Sequence, residues 1–561
     1  MADKEMNRYV VGVDISTQTV TAMLIGVREA GSGPAGEAIG AQPVELELSG
    51  EWTASRPCRS DAERKSPQTW VGLVRECLGE LKSRVRETSL AEAVGVSTTF
   101  PGLFPILRAG GGEGFAIDPA KVSLYDNTDD AGLCAVGGER LLSAAESDTL
   151  NRMWPGSMAV GLVALIRNRG LRIEDTAALV PPNTAFAWAL IREAGFDCPP
   201  DSLFSDFTQT SISGLYGVPD LRPLPEHVAQ MLEACGQVCR HAILDLLPRT
   251  GPSWRNVMGP NALPAVRNLL GLPLLNAVSI GAGDSPLGSL ALMSGADTVI
   301  NVRGSSDSPM ILVDRPASRS GGRETVLHYP LPAVVSPAEP PWLAVAPMLR
   351  SGRVWDWVRG LRFPDAGAEA DRELEDLAAR ALKRRLSAPP GSAQRRPLEF
   401  NTALGGERAP DWDPRASGTI RGLLESHDIG DIALAALEGM SGTLSACISQ
   451  MESRYRVAPA RLLLAGGPTR NRLWSWITGV FTGKQTLATT FSDASLMGAA
   501  LLGYAAAFDG KEPDRAISDR LLAVSRLSSD HPFVRPVPVE PPDAELAALE
   551  RSYRAEAASR G

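Results

Sequence analysis

The sequence predicts an α/β protein of two domains facing each other across a cleft, and three observations lead there. At 561 residues the chain exceeds what one hydrophobic core sustains, so two large domains are expected. Strand-like alternation and helical spacing of apolar residues succeed one another along the whole chain. One pattern also occurs twice. VVGVDISTQTVTAMLI near the N-terminus and TVINVRGSSDSPMILV from Thr298 each read as a strand, a tight turn of Gly, Asp, Ser or Thr, and a second strand. A hairpin of this kind at the head of each half suggests two related domains.

In the first half, residues 9–15 and 19–27 flank a turn of Ser16, Thr17 and Gln18, and residues 29–65 read as loop and irregular strand. Residues 68–85 form an amphipathic helix with Trp70, Leu73, Val74, Cys77, Leu78 and Leu81 on one face. Residues 93–97 are a short buried strand and 102–107 the next. Helices are expected near 156–168, 184–194 and 226–247, before a break at Pro248, Gly251 and Pro252. In the second half, 275–280, 298–302 and 309–313 are strand-like, with a small-residue helix at 285–294. A Pro- and Gly-rich excursion at 315–341 precedes helices at 351–360 and 368–385 and an exposed loop at 386–397. In the long helix near 430–452, Leu437, Met440, Leu444, Cys447 and Met451 recur three and four apart, which marks one buried face. Residues 461–465 form a strand closed by Gly466 and Gly467, a helix starts near Asn471, and the last helix ends in a polar tail.

Composition excludes several function classes. Hydrophobic residues make up 44% and charged residues 22%, ordinary values for a globular protein. The net charge of -9, without a block of Lys and Arg, argues against a nucleic-acid surface. Seven scattered cysteines without a CxxC pair read as reduced thiols. Cys235 and Cys239 lie one helical turn apart, but no further His or Cys completes a zinc site. No apolar stretch follows a basic start, and no run of about 18 apolar residues occurs, so neither signal peptide nor membrane span is expected. The expected address is the cytoplasm.

Four constellations can carry chemistry. In Gly12-Val13-Asp14-Ile15-Ser16-Thr17, amides and hydroxyls of the turn can line a phosphate. Asp14 at the strand end can hold a magnesium shell through water, since this ion keeps most of its waters and takes one or two carboxylates. The same residues also serve a plain turn. In Gly281-Ala282-Gly283-Asp284-Ser285-Pro286 a buried strand runs into glycines that let a ligand approach the backbone, and then presents Asp284 at a helix start. Such an aspartate can accept the proton of a hydroxyl nucleophile, or cap the helix, or both. Gly304-Ser305-Ser306-Asp307 is the turn of the second hairpin. Leu464-Ala465-Gly466-Gly467-Pro468-Thr469-Arg470-Asn471 joins a strand, a glycine pair and a helix start, which leaves room for a flat base and favours anions.

Read in order, the segments resemble the FGGY family of carbohydrate kinases. VVGVDISTQTVTAMLIG is similar to the family's first phosphate hairpin and AVGVSTTFPGLFPI to its substrate-binding strand. SDFTQTSISGLYGV resembles the segment in which an Asp leads a run of small residues. GLPLLNAVSIGAGDSPLGSLAL carries the GGD motif, and FNTALGGERAPDWDPRASGTIRGLLESH is close to the GERxP segment. LLLAGGPTRNRLWSWITGVFTGK and DASLMGAALLGYAA resemble the adenosine-binding end. The resemblance runs from about residue 8 to 507.

The resemblance implies two actin-like (ribonuclease H-like) ATPase domains facing a central cleft. Residues 1–255 would be the sugar-binding side, 256–540 the nucleotide-binding side, and 541–561 a C-terminal helix and polar tail. It implies ATP and magnesium, with Asp14 positioning the metal nucleotide through water and Asp284 acting as catalytic base. Ser16, Thr17, Gly304, Ser305 and Ser306 would meet phosphates, and Gly466, Gly467 and Asn471 would line the adenosine pocket. Thr99 and Phe100 stand where many pentulose kinases have a Gln-Met-His-Gly-like run. Tyr125 and Asp126 fall near the sugar, where family members have an aromatic residue followed by Asp and Arg. The implied reaction is ATP-dependent phosphorylation of a hydroxyl of a small sugar or polyol, a pentulose-like one favoured. The alternative is a catalytically weak relative that senses sugar or nucleotide, because the Gln and His of that run are missing near Thr99 and because Asp307 would place a carboxylate beside phosphates unless Arg303 compensates. Implied partners are the sugar or polyol, ATP and a possible second copy in a homodimer, with no nucleic acid or membrane. Glu407 and Arg408 read as an interdomain ion pair, and Trp355 and Trp357 as packing residues.

Overall fold

The computed structural model describes residues 6–29, 44–47, 52–109, 114–126, 148–154, 156–239, 242–292, 295–317, 326–363, 367–413, 415–489, 491, 493–530 and 534–559. Two seven-stranded sheets organise these residues. In the first, Met6–Ile15 pairs antiparallel with Thr19–Glu29 and parallel with Ala91–Thr98, which in turn carries Ala277–Val278 and Ala282–Gly283. In the second, Thr298–Arg303 pairs antiparallel with Asp307–Val313 and parallel with Arg461–Ala465, which carries Gln485–Ala488. The two sheets share one plan: a hairpin whose first strand continues into parallel neighbours. The repeated sequence pattern is the trace of that plan.

The period-two pattern of the first strand decides what packs where. Val11, Val13 and Ile15 face one core together with Trp70, Val71, Val74, Cys77, Leu78 and Leu81 of the helix Pro67–Arg84. Ser66 caps that helix by accepting from Thr69 N, and Pro67 at its first position costs no hydrogen bond. Val10 faces the opposite core, with the helix Ala494–Ala506. On that face the helix backbone lies directly on the strands. A Cβ on Gly12 would stand 2.4 Å from the Leu496 carbonyl oxygen, and one on Gly95 only 1.7 Å from that of Ala499. Gly95→Ala therefore has to lift the helix off the sheet, at an overpacking cost of about 1–3 kcal/mol. Gly79, on the helix Pro67–Arg84, has nothing within 4 Å of a built Cβ. Urea denaturation is expected to show Gly95→Ala clearly destabilised and Gly79→Ala unchanged or slightly more stable. Equal midpoints would refute the close contact.

Several expectations change at chain reversals. Residues 226–247 do not form one helix: Pro225–Ala234 stops where Gly236 takes φ 70°, and a separate turn forms at Ile243–Leu246. Residues 275–280 are strand only at Ala277–Val278. That strand and Ala282–Gly283 pair with Ala91–Thr98, so residues beyond 256 belong to the first sheet. The C-terminal helix Ala544–Ala558 buries Leu546, Tyr553 and Ala557 against the core of the helices Ala368–Ser387, Ile429–Tyr455 and Arg472–Thr482. Ile429–Tyr455 is long and apolar enough to cross a membrane by length and composition, but 61% of its most apolar stretch is buried within the protein. It is a core helix here. The cysteines at 58, 77, 198, 235 and 447 are free thiols.

Candidate active site

The two hairpin turns and the Asp284 helix start open on one cavity of about 370 Å³, within the size range of small-molecule sites. Ser16, Thr17, Thr99, Phe100, Tyr125, Asp284, Gly304, Ser305 and Ser306 line it, nine of the residues singled out from the sequence. A hollow of about 590 Å³ between the helix Pro225–Ala234 and residues 237–239 and 242–244 gathers none of them.

Asp284 is the first residue of the helix Asp284–Ala291, while Gly283 takes the cap position. Its Oδ1 accepts from the Ser285 amide at 2.6 Å and the Ser285 hydroxyl at 3.3 Å. Burial, and then the nearby Asp14 carboxylate, lift its pKa from the ordinary carboxyl range to about 7. Asp14 is the next-to-last residue of the first strand and accepts a 2.5 Å hydrogen bond from the Ser97 hydroxyl on the neighbouring strand. Burial raises it to about 6 against that bond, with Asp493 adding to the rise. Among the described residues no group of three or more ligating side chains forms here, but the neighbouring carboxylates of Asp14 and Asp284 suit a hydrated cation. The donor set fits a hydrated magnesium ion, which needs one or two carboxylates and would relieve their mutual repulsion.

The hydroxyl turns are braced from behind. Ser16 Oγ accepts from the Thr19 amide at 3.2 Å, which closes the first turn. Around the second, the Ser351 amide donates to Ser305 O at 2.9 Å and the Gly352 amide to Gly304 O at 3.1 Å. Asp307 does not face the cavity. It is the cross-strand partner of Arg303, and the two side chains are 1% and 0% exposed. Asp307 Oδ2 accepts from Arg303 Nε at 3.3 Å and Asn301 Nδ2 at 3.2 Å, while the guanidinium lies 4.1 Å from the centre of the Trp474 ring. The carboxylate that threatened to repel phosphates is neutralised inside the second domain.

Gly466 and Gly467 follow the strand that pairs with Thr298–Arg303, which sets them beside the second turn. Gly466 has φ 103°, and a Cβ there would stand 2.0 Å from Arg303 O, so glycine is needed for this approach. Asn471 caps the helix Arg472–Thr482, accepting from the Trp474 amide at 2.8 Å. Gly466 thus lies against the start of the second turn, and none of the three lines the cavity.

One expectation at the opposite end is corrected, that for Arg408. Asp126 does not line the cavity and is clamped by Arg64 through paired hydrogen bonds of 3.0 and 3.1 Å. Arg408 makes no ion pair with Glu407 among the described residues. It lines the cavity, donates to Tyr125 O, and lies 5.7 and 5.8 Å from the ring centres of Tyr125 and Trp154. Burial lowers its pKa to about 10. Trp357 stays 42% exposed beside Phe400, and Trp355 packs inside, which suits packing roles. Trp154, Tyr329 and Ser495 also line the cavity but went unrecognised. Ser495 lies in the DASLMG segment, the one available signal; Trp154 and Tyr329 sit in stretches without periodicity.

The sheets and the cleft define this chain as a two-domain α/β protein of the actin-like, ribonuclease H-like class. Gluconate kinase from Lactobacillus acidophilus superposes with a TM-score of 0.69 at 16% identity, covering 99% of this chain and 98% of that one. Plasmodium falciparum glycerol kinase with ADP gives 0.64 at 14% identity, covering 99% and 98%. Residues 321–507 match the family model described as FGGY family of carbohydrate kinases, C-terminal domain. Over that stretch the chain is similar to the FGGY family of carbohydrate kinases. Gluconokinase of Bacillus licheniformis is 26% identical over 245 residues, 43% of this chain and 45% of that protein. A glycerol kinase of Ralstonia nicotianae is 31% identical over 167 residues, 29% and 30% of the two chains. Each of these sequence matches thus spans less than half of the relative's length.

Proposed function

We propose that this protein is a cytoplasmic carbohydrate kinase that transfers the terminal phosphoryl group of ATP to a hydroxyl of a small sugar or polyol, a pentulose-like acceptor favoured. The observation that carries the reading is the convergence of Asp284 and the two hydroxyl-bearing turns on one cavity. Ser16, Thr17, Gly304, Ser305 and Ser306 bind phosphate oxygens. Gly466, Gly467 and Asn471 hold the adenosine, and Asp14 holds magnesium through water. Magnesium supplies charge neutralisation for the phosphates. Thr99, Phe100, Tyr125 and Asp126, the last through its Arg64 clamp, shape the acceptor end. As the acceptor oxygen bonds to phosphorus and the bond to ADP breaks, the hydroxyl proton passes to the Asp284 carboxylate.

Asp284 can take that role because burial has brought its pKa to about 7, near the working pH. The rival reading, a weak relative serving as sensor, drew on Asp307 beside the phosphates and on the missing Gln and His near Thr99. The pairing of Asp307 with Arg303 removes the first motive and leaves the second. A coupled ADP-release screen over pentuloses, hexuloses, alditols and aldonates tests the proposal. Turnover is expected with at least one, pentuloses leading. Rates no higher than the acceptor-free rate throughout would leave only binding.

A further inference from the structure

Beneath the Gly281–Asp284 turn, and outside the cavity lining, lies a carboxylate with no cation among its hydrogen-bond partners. Asp206 is 0% exposed and receives five hydrogen bonds. They come from Thr208 N at 2.8 Å, Thr208 Oγ1 at 2.5 Å, Gln209 N at 3.3 Å, Asn183 Nδ2 at 2.9 Å and Ser253 Oγ at 3.1 Å. Two of these bonds are what a cap of the short helix Phe207–Ser211 requires. The others serve another end. Asn183 Nδ2 also donates to Gly281 O at 3.3 Å, and Thr208 Oγ1 also accepts from Gly283 N at 3.4 Å. The Ser253 carbonyl accepts from Gly281 N at 3.0 Å. Every polar backbone contact holding Gly281 and Gly283 from this side therefore comes from a residue bonded to Asp206.

We infer that Asp206 is a positioning residue for the proposed base: through Asn183, Thr208 and Ser253 it fixes the glycine turn that aims Asp284 into the cavity. The inference rests on the kinase reading above. An ionised carboxylate can accept from all five donors at once, whereas an amide in its place cannot accept from both hydroxyls and Asn183. Gly281, at φ 82° with a built Cβ only 2.2 Å from Val96 O, has no side chain to steady the turn itself. A shift of about 1 Å in a reacting group costs on the order of 10²-fold in rate, so the turn needs an external brace. Among the described residues neither hydroxyl turn is bonded to this network, so nucleotide binding should not depend on it.

Asp206→Asn, Thr208→Val and Thr208→Ser are compared in the full chain by steady-state kinetics and amide hydrogen exchange. Asp206→Asn and Thr208→Val are expected to lower kcat on the order of 10²-fold with KM for ATP within about twofold. Thr208→Ser, which keeps the hydroxyl, restores kcat to within about threefold of the parent. Exchange at residues 281–285 should quicken about tenfold in Thr208→Val and not in Thr208→Ser, a readout independent of turnover. Unchanged exchange in Thr208→Val, equal loss of kcat in both Thr208 variants, or a rise of KM for ATP in step with the loss overturns the inference. A parent that exchanges as expected but phosphorylates no acceptor overturns the kinase reading instead.

Discussion

Asp284→Asn is expected to lower phosphoryl transfer about 10²–10⁴-fold, the range that a positioned base contributes, while the protein still binds ATP by calorimetry. The same substitution should make the ligand-free protein more stable, and the sign follows from the proton count. A carboxyl with an ordinary value of 3.8 unfolded and about 7 folded binds more protons in the folded state between those limits. Its contribution to stability is present at low pH and is lost as pH rises through about 7. Asparagine has no proton to lose. Thermal unfolding of the variant and parent should therefore coincide near pH 4, with the variant melting higher at pH 8. Such a trade, stability given up where charge is needed, is what a functional site shows. A variant that turns over sugar at the parental rate would remove Asp284 from the mechanism. One that melts lower at pH 8 would show that its carboxylate stabilises the fold instead.

What the sequence disclosed and what it hid divide by range. Asp284 was legible because a buried strand, two glycines and a helix start sit within ten residues, and each restricts where the next can go. The two hydroxyl turns were legible for the same local reason, and their repetition announced two similar sheets. The acceptor end was not. Asp126 meets Arg64 across 62 positions, and Arg408 reaches Tyr125 across 283, so neither partnership leaves a periodic signature. Arg408 was misread because its sequence neighbour Glu407 offered a ready partner. In the structure Glu407, buried near Asp411 and Asp413, has its own pKa raised to about 7. The helix expected over 226–247 failed at Gly236, where left-handed geometry outweighs a favourable apolar pattern. The sheet assignment of residues 277–283 depended on a crossover that no local pattern encodes.

The hardest residue to read was Asp307, and it yields the second large effect. Beside a phosphate turn it looked repulsive, yet hairpin register pairs it with Arg303, and both side chains enter the core. Burying two charges is costly, and removing only one leaves the other without compensation. Asp307→Ala should therefore destabilise the protein by about 3–5 kcal/mol in denaturant unfolding. Arg303 would retain Thr478 at 3.2 Å and the Trp474 ring but lose its countercharge. Replacing both, as in Arg303→Met with Asp307→Leu, is expected to recover most of that loss, because an apolar pair of similar volume avoids the desolvation cost. At a temperature where all three proteins are folded, KM for ATP should stay within about twofold of the parent, since neither charge lines the cavity; a twofold change is only about 0.4 kcal/mol. A double variant as unstable as Asp307→Ala would contradict the buried pair. A single variant of normal stability whose affinity for ATP rises would put the carboxylate back among the phosphates, and with it the case for a weakened enzyme.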